Sequence, residues 1–321
     1  LQLTEATAPA FSDMLAETRR AAEQAGLTPP VCVLQMTHSG RYSRPGGQAV
    51  PIIAHHSPIL DAKHDLPPDY PLISDERLDE LQEAFVAMSR LAAEVGFDAV
   101  DVKSCHRYLL SELLASFTRT DSRYGGSFAN RTRMLRETAA KIIQAVGNRI
   151  EVTTRMNAYD ALPHPYGWGA GDRDAVECDL SEPIRLVREL RDLGCAGVNV
   201  SIGNPYHGPH VNRPADWTIA GWPDPPEHPI DGVIRLMRIA RDIQRAAGDF
   251  PVVGSGYTWF RQYLPHFAAA AVRDGAATLI GLGRGALAYP GYARDILRNG
   301  AMDRHKVCVA CSSCTQIMRD G

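Results

Sequence analysis

Six apolar, strand-length runs recur along this chain, and a loop and a helical pattern follow each of them. They lie near residues 31–37, 98–103, 150–156, 196–201, 251–255 and 278–282. Continuous apolar runs suit strands that are buried on both faces, and strands that alternate with helices form parallel sheets. The pattern therefore predicts an α/β fold that is built from repeated βα units.

The last two runs end in glycine-rich turns, VVGSGYT and TLIGLGRGA. Glycines such as Gly256 and Gly283 let backbone amides approach an anion closely. In barrels of eight βα units, the loops after the seventh and eighth strands commonly bind phosphate. The two turns together predict a phosphate-binding βα barrel, and simple tight turns without a ligand are the alternative.

Two of the helices between the strands have clear ends in the sequence. One is predicted to start after Ser74, a good N-cap, and to stop at Gly96. Another is predicted to start at Ser181 and to stop at Gly194. The stretch over residues 205–229 is rich in proline and glycine, which predicts a long loop on the face of the barrel that carries active sites.

Six strands do not close a barrel of eight, and an open parallel sheet would leave two unpaired edges. The chain begins with Leu1 instead of methionine, and its opening runs almost directly into a helix. We therefore expect a (β/α)8 TIM barrel whose first two strands precede Leu1; a complete α/β fold that is not a barrel is the alternative. We expect the barrel to occupy residues 1–304, and a truncated cysteine-containing segment to occupy residues 305–321.

Composition narrows the classes of function. The chain has 34 basic and 37 acidic residues, so it offers no electrostatic basis for binding nucleic acid. Its apolar stretches are strand-length and no signal peptide opens it, which predicts a cytoplasmic protein without a membrane partner. A homo-oligomer is compatible with the sequence, which does not specify an oligomeric state.

Four longer motifs occur in order, LQMTHSGRYSRP, GFDAVDVKSCHRYLLSELL, RTDSRYGGSFANRTR and LIGLGRGALAYP. Together they resemble successive motifs of the old yellow enzyme family, the NAD(P)H:flavin oxidoreductases, and their order matches over essentially the whole chain. The resemblance implies an eight-stranded βα barrel that binds FMN at the C-terminal ends of its strands. It also implies NAD(P)H as reductant and a small enone or enoyl substrate. In that register the six strands are strands 3 to 8 of the family fold.

The resemblance implies which residues contact FMN. Gln35 occupies the position of a glutamine that hydrogen-bonds the flavin pyrimidine, and Arg155 that of an arginine beside the N1 and O2 edge. A guanidinium there would stabilise the anionic reduced flavin. Gly256, Gly283 and Arg284 match the phosphate-binding loops. Without the resemblance, Gln35 and Arg155 would also fit a satisfied polar pair inside a barrel.

The second strand run leads into VKSCHRY, where the resemblance implies the catalytic residues. Lys103 and His106 occupy the positions of two side chains that hydrogen-bond the substrate carbonyl, and Tyr108 that of a proton donor. Hydride addition to an activated alkene builds charge on the carbonyl oxygen, and preorganised donors lower that barrier. Lys103 departs from the histidine that is commonest there, which puts the ligand preference in doubt. A packing role is the alternative for His106 and Tyr108.

Two further segments carry less information about chemistry. The motif from Arg119 to Arg133 is typical of the family, but its charges, its glycines and Asn130 favour a structural loop that caps the next helix. Asn204, Tyr206, His207 and His210 follow the fourth run on a loop of the active face, where the sequence assigns them no role.

Cys308, Cys311 and Cys314 are spaced so that three thiolates can surround one centre. The spacing resembles that of the family branch containing 2,4-dienoyl-CoA reductase and trimethylamine dehydrogenase, in which a [4Fe-4S] cluster relays electrons to FMN. The fourth cysteine of that pattern lies further along, so we expect the fourth ligand beyond Gly321 or at His305. Zinc and free thiols are the alternatives.

The sequence therefore favours an FMN-dependent oxidoreductase that reduces an activated C=C bond with hydride from NAD(P)H. A Schiff-base aldolase or lyase is a second hypothesis. Such enzymes also use a lysine on an inner barrel strand beside a phosphate site, and Lys103 fits that description. A non-catalytic binding or electron-transfer fragment is a third.

Overall fold

The computed structural model describes residues 2–171, 178–218 and 222–320. Six strands form one parallel sheet in the order β1 to β6. They are β1 Val33–Met36, β2 Ala99–Ser104, β3 Glu151–Tyr159, β4 Gly197–Ile202, β5 Val252–Gly254 and β6 Leu279–Ile280. All six predicted strands are confirmed, and the parallel order confirms the βα repeat.

Helices connect the strands and cover one face of the sheet. The α-helices are α1 Ala8–Gln24, α2 Pro58–Asp61, α3 Asp75–Val95, α4 Leu109–Leu114, α5 Phe128–Arg131, α6 Arg133–Val146, α7 Ser181–Asp192, α8 Pro209–Asn212, α9 Pro229–Ala247, α10 Leu264–Arg273, α11 Arg284–Ala288, α12 Tyr292–Asn299 and α13 Ser313–Asp320. In the part of the chain that the structure describes, none of them is long and apolar enough to cross a membrane.

Helix α3 shows how the sequence sets these boundaries. The Ser74 hydroxyl accepts a hydrogen bond from the Arg77 amide at 3.2 Å, and Gly96 ends the helix in the left-handed region at φ 102°. The predicted ends are therefore confirmed. The helix buries Leu78 and Phe85 in the core against the sheet.

The two faces of the sheet differ in chemistry because side chains alternate along each strand. One face is apolar and packs on the helices; its residues include Val100, Val102, Val152, Val198, Val200 and Val252, all at most 2% exposed. The other face is polar from β1 to β4, where it presents Gln35, Asp101, Lys103, Arg155 and Asn199. The polar face is the one that corresponds to the inside of a barrel.

The two outer strands pair on one side only within the described residues. Val33 of β1 is 46% exposed and Leu279 of β6 is 57% exposed. The architecture is thus that of a partial (β/α)8 barrel. The strands expected before Leu1 and the division at residue 304 remain predictions.

The loops at the carboxyl ends of β1, β2 and β4 lie together above the polar face. Residues 40–64 follow β1 and contain short 3₁₀ turns, among them Gly40–Tyr42 and Ala62–His64. The predicted long loop over residues 205–229 includes the short helix α8, and residues 219–221 of it lie outside the described ones.

Candidate active site

A row of polar side chains crosses β1, β2 and β3 low on the polar face. Gln35 lies opposite Asp101, and its amide donates to the Asp101 carboxyl at 3.0 Å. The Thr153 hydroxyl donates to the same carboxyl at 3.1 Å. Burial nevertheless raises the pKa of Asp101 above its ordinary value. Gln35 is therefore paired with Asp101 and not with Arg155.

A second row lies one step nearer the carboxyl ends. Lys103, Arg155 and Asn199 occupy directly opposed positions on β2, β3 and β4. Arg155 Nε and Asn199 Oδ1 are both buried without a hydrogen-bond partner in the described structure. Burial lowers the pKa of Lys103. Unpaired polar atoms are costly in an interior, so this row is suited to receive a polar ligand.

The chain leaves β2 through two consecutive residues in the left-handed region, His106 at φ 65° and Arg107 at φ 58°. Non-glycine residues adopt this conformation rarely and need support from their surroundings. Arg107 supplies that support because its guanidinium bonds the Asp160 carboxylate at 2.9 Å, with both side chains fully buried. Asp160 also accepts from the Asn157 side chain at 2.7 Å and from the Trp168 amide at 3.0 Å.

His106 is held between β2 and β4. Its Nε2 lies 3.2 Å from the Ser201 hydroxyl. Burial, assisted by the charges of Arg155 and Lys103, lowers its pKa well below the ordinary range. The imidazole is therefore neutral at neutral pH, and it can share a hydrogen bond with a substrate oxygen without carrying charge.

Three tyrosines form a cluster where the loops after β1, β2 and β4 meet. The Tyr108 and Tyr206 hydroxyls are 2.9 Å apart, and the Tyr42 ring stacks on Tyr206 at 4.0 Å between centroids. Lys103 Nζ lies 3.6 Å from the centroid of the Tyr108 ring, a cation–π contact. Burial raises the pKa of Tyr108, and it raises the pKa of Tyr42 to about 12. Both phenols therefore stay protonated at neutral pH.

This cluster lines a cavity of about 1090 Å³. Its lining comprises Arg41, Tyr42, Ser43, Arg44, Ala49, Leu60, Lys63, His64, His106, Tyr108, Pro205, Tyr206, Asn212, Arg213, Trp222, Pro223 and Thr315. Sequence reasoning anticipated His106 and Tyr108, and it placed Tyr206 on an active-face loop. It missed Tyr42, Arg44 and Lys63, although Tyr42 and Arg44 lie within the first of the recognised motifs.

The two glycine turns after β5 and β6 lie in contact with each other. The Gly281 amide donates to the Gly254 carbonyl at 2.7 Å, and a Cβ added to Gly285 would lie 3.1 Å from the Thr258 hydroxyl. Gly256 adopts φ 101°, and Gly283 immediately precedes Arg284. Arg284 Nη1 is buried without a partner in the described structure. The arrangement leaves a guanidinium nitrogen available beside two glycine-containing turns.

The cysteine-containing tail has no regular secondary structure between Cys308 and the start of α13, and Ala310 and Ser312 lie in the left-handed region, at φ 56° and 60°. The Cys311 thiol contacts the Ser313 hydroxyl at 3.2 Å, which lowers the pKa of that thiol. Within the described residues, no three or more Cys, His, Asp or Glu side chains form a metal-binding group. The thiols of Cys308, Cys311 and Cys314 are therefore not gathered around one centre in this conformation.

The motif from Arg119 to Arg133 is structural, as predicted. Arg119 donates to the carbonyls of Ala54 and Ile73, at 3.0 and 2.8 Å. Ser127 caps α5 by accepting from the Asn130 amide. The cap is thus a serine, whereas Asn130 uses its side chain to accept from Arg133 at 3.1 Å.

Acid should destabilise this site through His55. His55 is 1% exposed, its Nδ1 lies 3.0 Å from the His56 carbonyl, and its Nε2 lies 3.0 Å from an Arg107 nitrogen. Burial and the Arg107 charge lower its pKa well below the ordinary 6.5. Below about pH 6.5 the unfolded chain therefore binds a proton that the folded chain refuses. The free energy of unfolding should fall by up to ~1.4 kcal/mol per pH unit from this group.

Urea unfolding at a series of pH values measures this slope. His55→Gln should lose less stability between pH 6.5 and 5 than the unsubstituted protein does. Some loss should remain in the variant, because His106 contributes to the pH dependence in the same direction. The exposed His266→Gln variant is the control and should retain the full slope. An unchanged slope in His55→Gln would contradict this account of the buried network.

Comparison with known proteins places these features in a family. The model of the NADH:flavin oxidoreductase / NADH oxidase family matches residues 28–166. Dimethylamine dehydrogenase of a Hyphomicrobium species is 30% identical over 243 residues, which cover 74% of this chain and 28% of that protein. NADPH dehydrogenase of Clostridium acetobutylicum is 27% identical, over 56% of this chain and 50% of that protein. The chain thus spans half or less of these two relatives.

A solved structure supports the same fold. The old yellow enzyme homologue from Zymomonas mobilis is similar with a TM-score of 0.61 at 19% identity, covering 94% of this chain and 74% of that chain. At that identity the likeness concerns the fold, and it agrees with the partial barrel described above. The family match and the sequence identity to dimethylamine dehydrogenase show that the chain belongs to the old yellow enzyme family of NADH:flavin oxidoreductases.

Proposed function

We propose that this protein is an FMN-dependent oxidoreductase that reduces an activated C=C bond with NAD(P)H. One observation carries the proposal: Tyr108, His106 and Lys103 meet at the carboxyl ends of the strands. Tyr108 and His106 line the 1090 Å³ cavity, and Lys103 contacts the Tyr108 ring. The two further donors can polarise a substrate carbonyl, and a phenol that stays protonated can protonate the adjacent carbon.

The residues present fit FMN at two separated places. Among the described residues, neither the buried Nε of Arg155 nor the buried Nη1 of Arg284 has a hydrogen-bond partner. Arg155 would hold the electron-rich edge of the flavin, and Arg284 with Gly256 and Gly283 would hold the phosphate. Gln35 would contact the pyrimidine after exchanging its Asp101 partner. FMN held by these residues would supply the chemistry of hydride transfer between NAD(P)H and the alkene.

The chain's own residues would bind the substrate carbonyl and protonate the substrate carbon. His106, neutral and fixed by Ser201, would donate a hydrogen bond to the substrate carbonyl oxygen, and Lys103 would add a charged donor. Tyr108 would transfer its hydroxyl proton to the α-carbon, and Tyr206, whose hydroxyl lies 2.9 Å away, would orient that proton. The Arg107–Asp160 pair would hold both His106 and Tyr108 in place.

The name of the similar dimethylamine dehydrogenase raises an amine as an alternative substrate. A protonated amine would have to enter a cavity that is lined by arginine and lysine and, within the described residues, by no aspartate or glutamate. Charge repulsion in that cavity favours the alkene over the amine.

The aldolase hypothesis makes a different demand on Lys103, which would have to form an imine with a carbonyl substrate. We expect borohydride treatment with a carbonyl substrate to leave the mass of the Lys103 peptide unchanged. Lys103→His should retain measurable alkene reduction with altered substrate preference, because a hydrogen-bond donor remains. A substrate-dependent adduct on the Lys103 peptide, in protein that lacks flavin, would favour the lyase instead.

We also propose that Cys308, Cys311 and Cys314 ligate a [4Fe-4S] cluster, on the strength of their spacing. Because the tail does not gather these thiols here, no electron-transfer step is derived through them. Cys311→Ser should remove iron while FMN stays bound, since the tail contributes none of the proposed flavin contacts. Metal analysis of anaerobically purified protein tests this; zinc without iron would contradict it.

A further inference from the structure

The charge of the large cavity differs from that of the chain. Its lining contains Arg41, Arg44, Lys63 and Arg213 and, among the described residues, no aspartate or glutamate. The chain as a whole has a net charge of −3. The positive charge of the lining is therefore a local feature and does not reflect a basic protein.

Two of these cations have no structural task that would explain their charge. Arg41 is neutralised, because it is buried and bonds Asp61 at 2.5 Å and Glu112 at 2.7 Å. Arg44 and Lys63, by contrast, are exposed and form no ion pair with any carboxylate in the described structure. Lys63 Nζ lies 5.0 Å from the Trp222 ring, which holds the ammonium at the cavity wall.

The histidines do not supply this positive charge. Burial lowers the pKa of His64 and His106, the two histidines in the lining, so both are neutral at neutral pH. The positive charge of the cavity lining thus comes from lysine and arginine and persists across the physiological pH range. Partial desolvation by its neighbours lowers the pKa of Lys63, and a bound anion would offset this effect.

Another part of the cavity lining is aromatic. Tyr42 stacks on Tyr206 at 4.0 Å, and Tyr108 lies 5.8 Å from Tyr42 between ring centroids. Such a wall suits the planar, conjugated part of a molecule. Building on the proposed function, we infer that the alkene substrate carries an anionic group, a carboxylate or phosphate, which Lys63 and Arg44 hold while the conjugated part lies against the tyrosines.

Three aldehydes with one skeleton test this inference: cinnamaldehyde, 4-carboxycinnamaldehyde and 4-trimethylammoniocinnamaldehyde. Equilibrium binding to the flavin-loaded protein, followed by tryptophan fluorescence, should be tightest for the carboxylate and weakest for the cation.

Lys63→Gln and Arg44→Gln should each weaken binding of the carboxylate about three- to tenfold, because partly exposed ionic contacts are modest. Both variants should leave binding of the neutral cinnamaldehyde unchanged. The preference should shrink as salt is added. Arg90→Gln, an exposed cation on α3 outside the cavity lining, is the control.

The outcomes separate the two proposals. Equal binding of the three aldehydes, or no effect of either substitution on the carboxylate, would overturn the anion inference. Turnover of neutral cinnamaldehyde tests the proposed function independently, since it needs no anion contact. The reductant's phosphate is the other source of an anion: if the substitutions weaken flavin reduction by NADPH but not by NADH, and spare carboxylate binding, the inference about the substrate is wrong.

Discussion

Tyr108→Phe should slow alkene reduction roughly a hundredfold or more, the usual scale for losing a general acid, while reduction of the flavin by NAD(P)H is nearly unaffected. The substitution removes only the hydroxyl that would protonate the α-carbon and that contacts Tyr206 at 2.9 Å. Because burial raises the pKa of Tyr108, the phenol stays protonated past the ordinary tyrosine range. Alkene reduction should therefore not decline through neutral pH on account of this group.

Stopped-flow measurement of the two half-reactions checks this expectation. Tyr70→Phe is the matched control, since the Tyr70 hydroxyl donates to the Pro51 carbonyl at 2.8 Å and does not line the large cavity. That variant should leave both half-reactions unchanged. Equal slowing of both half-reactions in Tyr108→Phe would instead indicate that Tyr108 only packs.

Asp160→Ala should lower the free energy of unfolding by about 3–5 kcal/mol, the usual cost of leaving one partner of a buried ion pair uncompensated. Asp160 accepts hydrogen bonds from Arg107, Asn157 and the Trp168 amide, and it is 1% exposed. Its loss should also release the left-handed turn at His106. Alkene reduction in the folded fraction should therefore fall as well.

Urea unfolding measures the stability effect, and alkene turnover at a temperature below the unfolding transition measures the activity effect. Asp274→Ala is a suitable control because it breaks an exposed ion pair, with Arg273, that should contribute little. Replacing Arg107 by methionine together with Asp160→Ala should recover part of the lost stability, since no buried charge is then left alone. A double variant no more stable than Asp160→Ala would contradict this reading.

The strands could be predicted because each one leaves its own local signal. Val100 and Val102, for example, are at 0% exposure on the helix-covered face of β2, and the apolar run that they belong to is visible without any partner strand. Helix α3 is equally local, since Ser74 and Gly96 set its ends through backbone geometry. The positions of Lys103, His106 and Tyr108 came from the resemblance, and no periodicity would have singled them out.

The rest of the site depends on contacts between distant segments. Tyr42, Tyr108 and Tyr206 are single tyrosines in three different loops, and only the parallel order of the strands brings those loops together. The ion pair between Arg107 and Asp160 likewise joins residues that are 53 positions apart in the sequence, and no local pattern predicts it. For such residues the sequence shows which functional group is present, but it does not show which residue that group contacts.

An anaerobic cycle of the flavin-loaded protein tests the central claim most directly. Addition of NAD(P)H should bleach the oxidised flavin spectrum, and subsequent addition of cinnamaldehyde should restore it while one equivalent of the saturated aldehyde forms. Protein that binds no FMN, or whose flavin NAD(P)H reduces but no activated alkene reoxidises, would contradict the assignment of this site to alkene reduction.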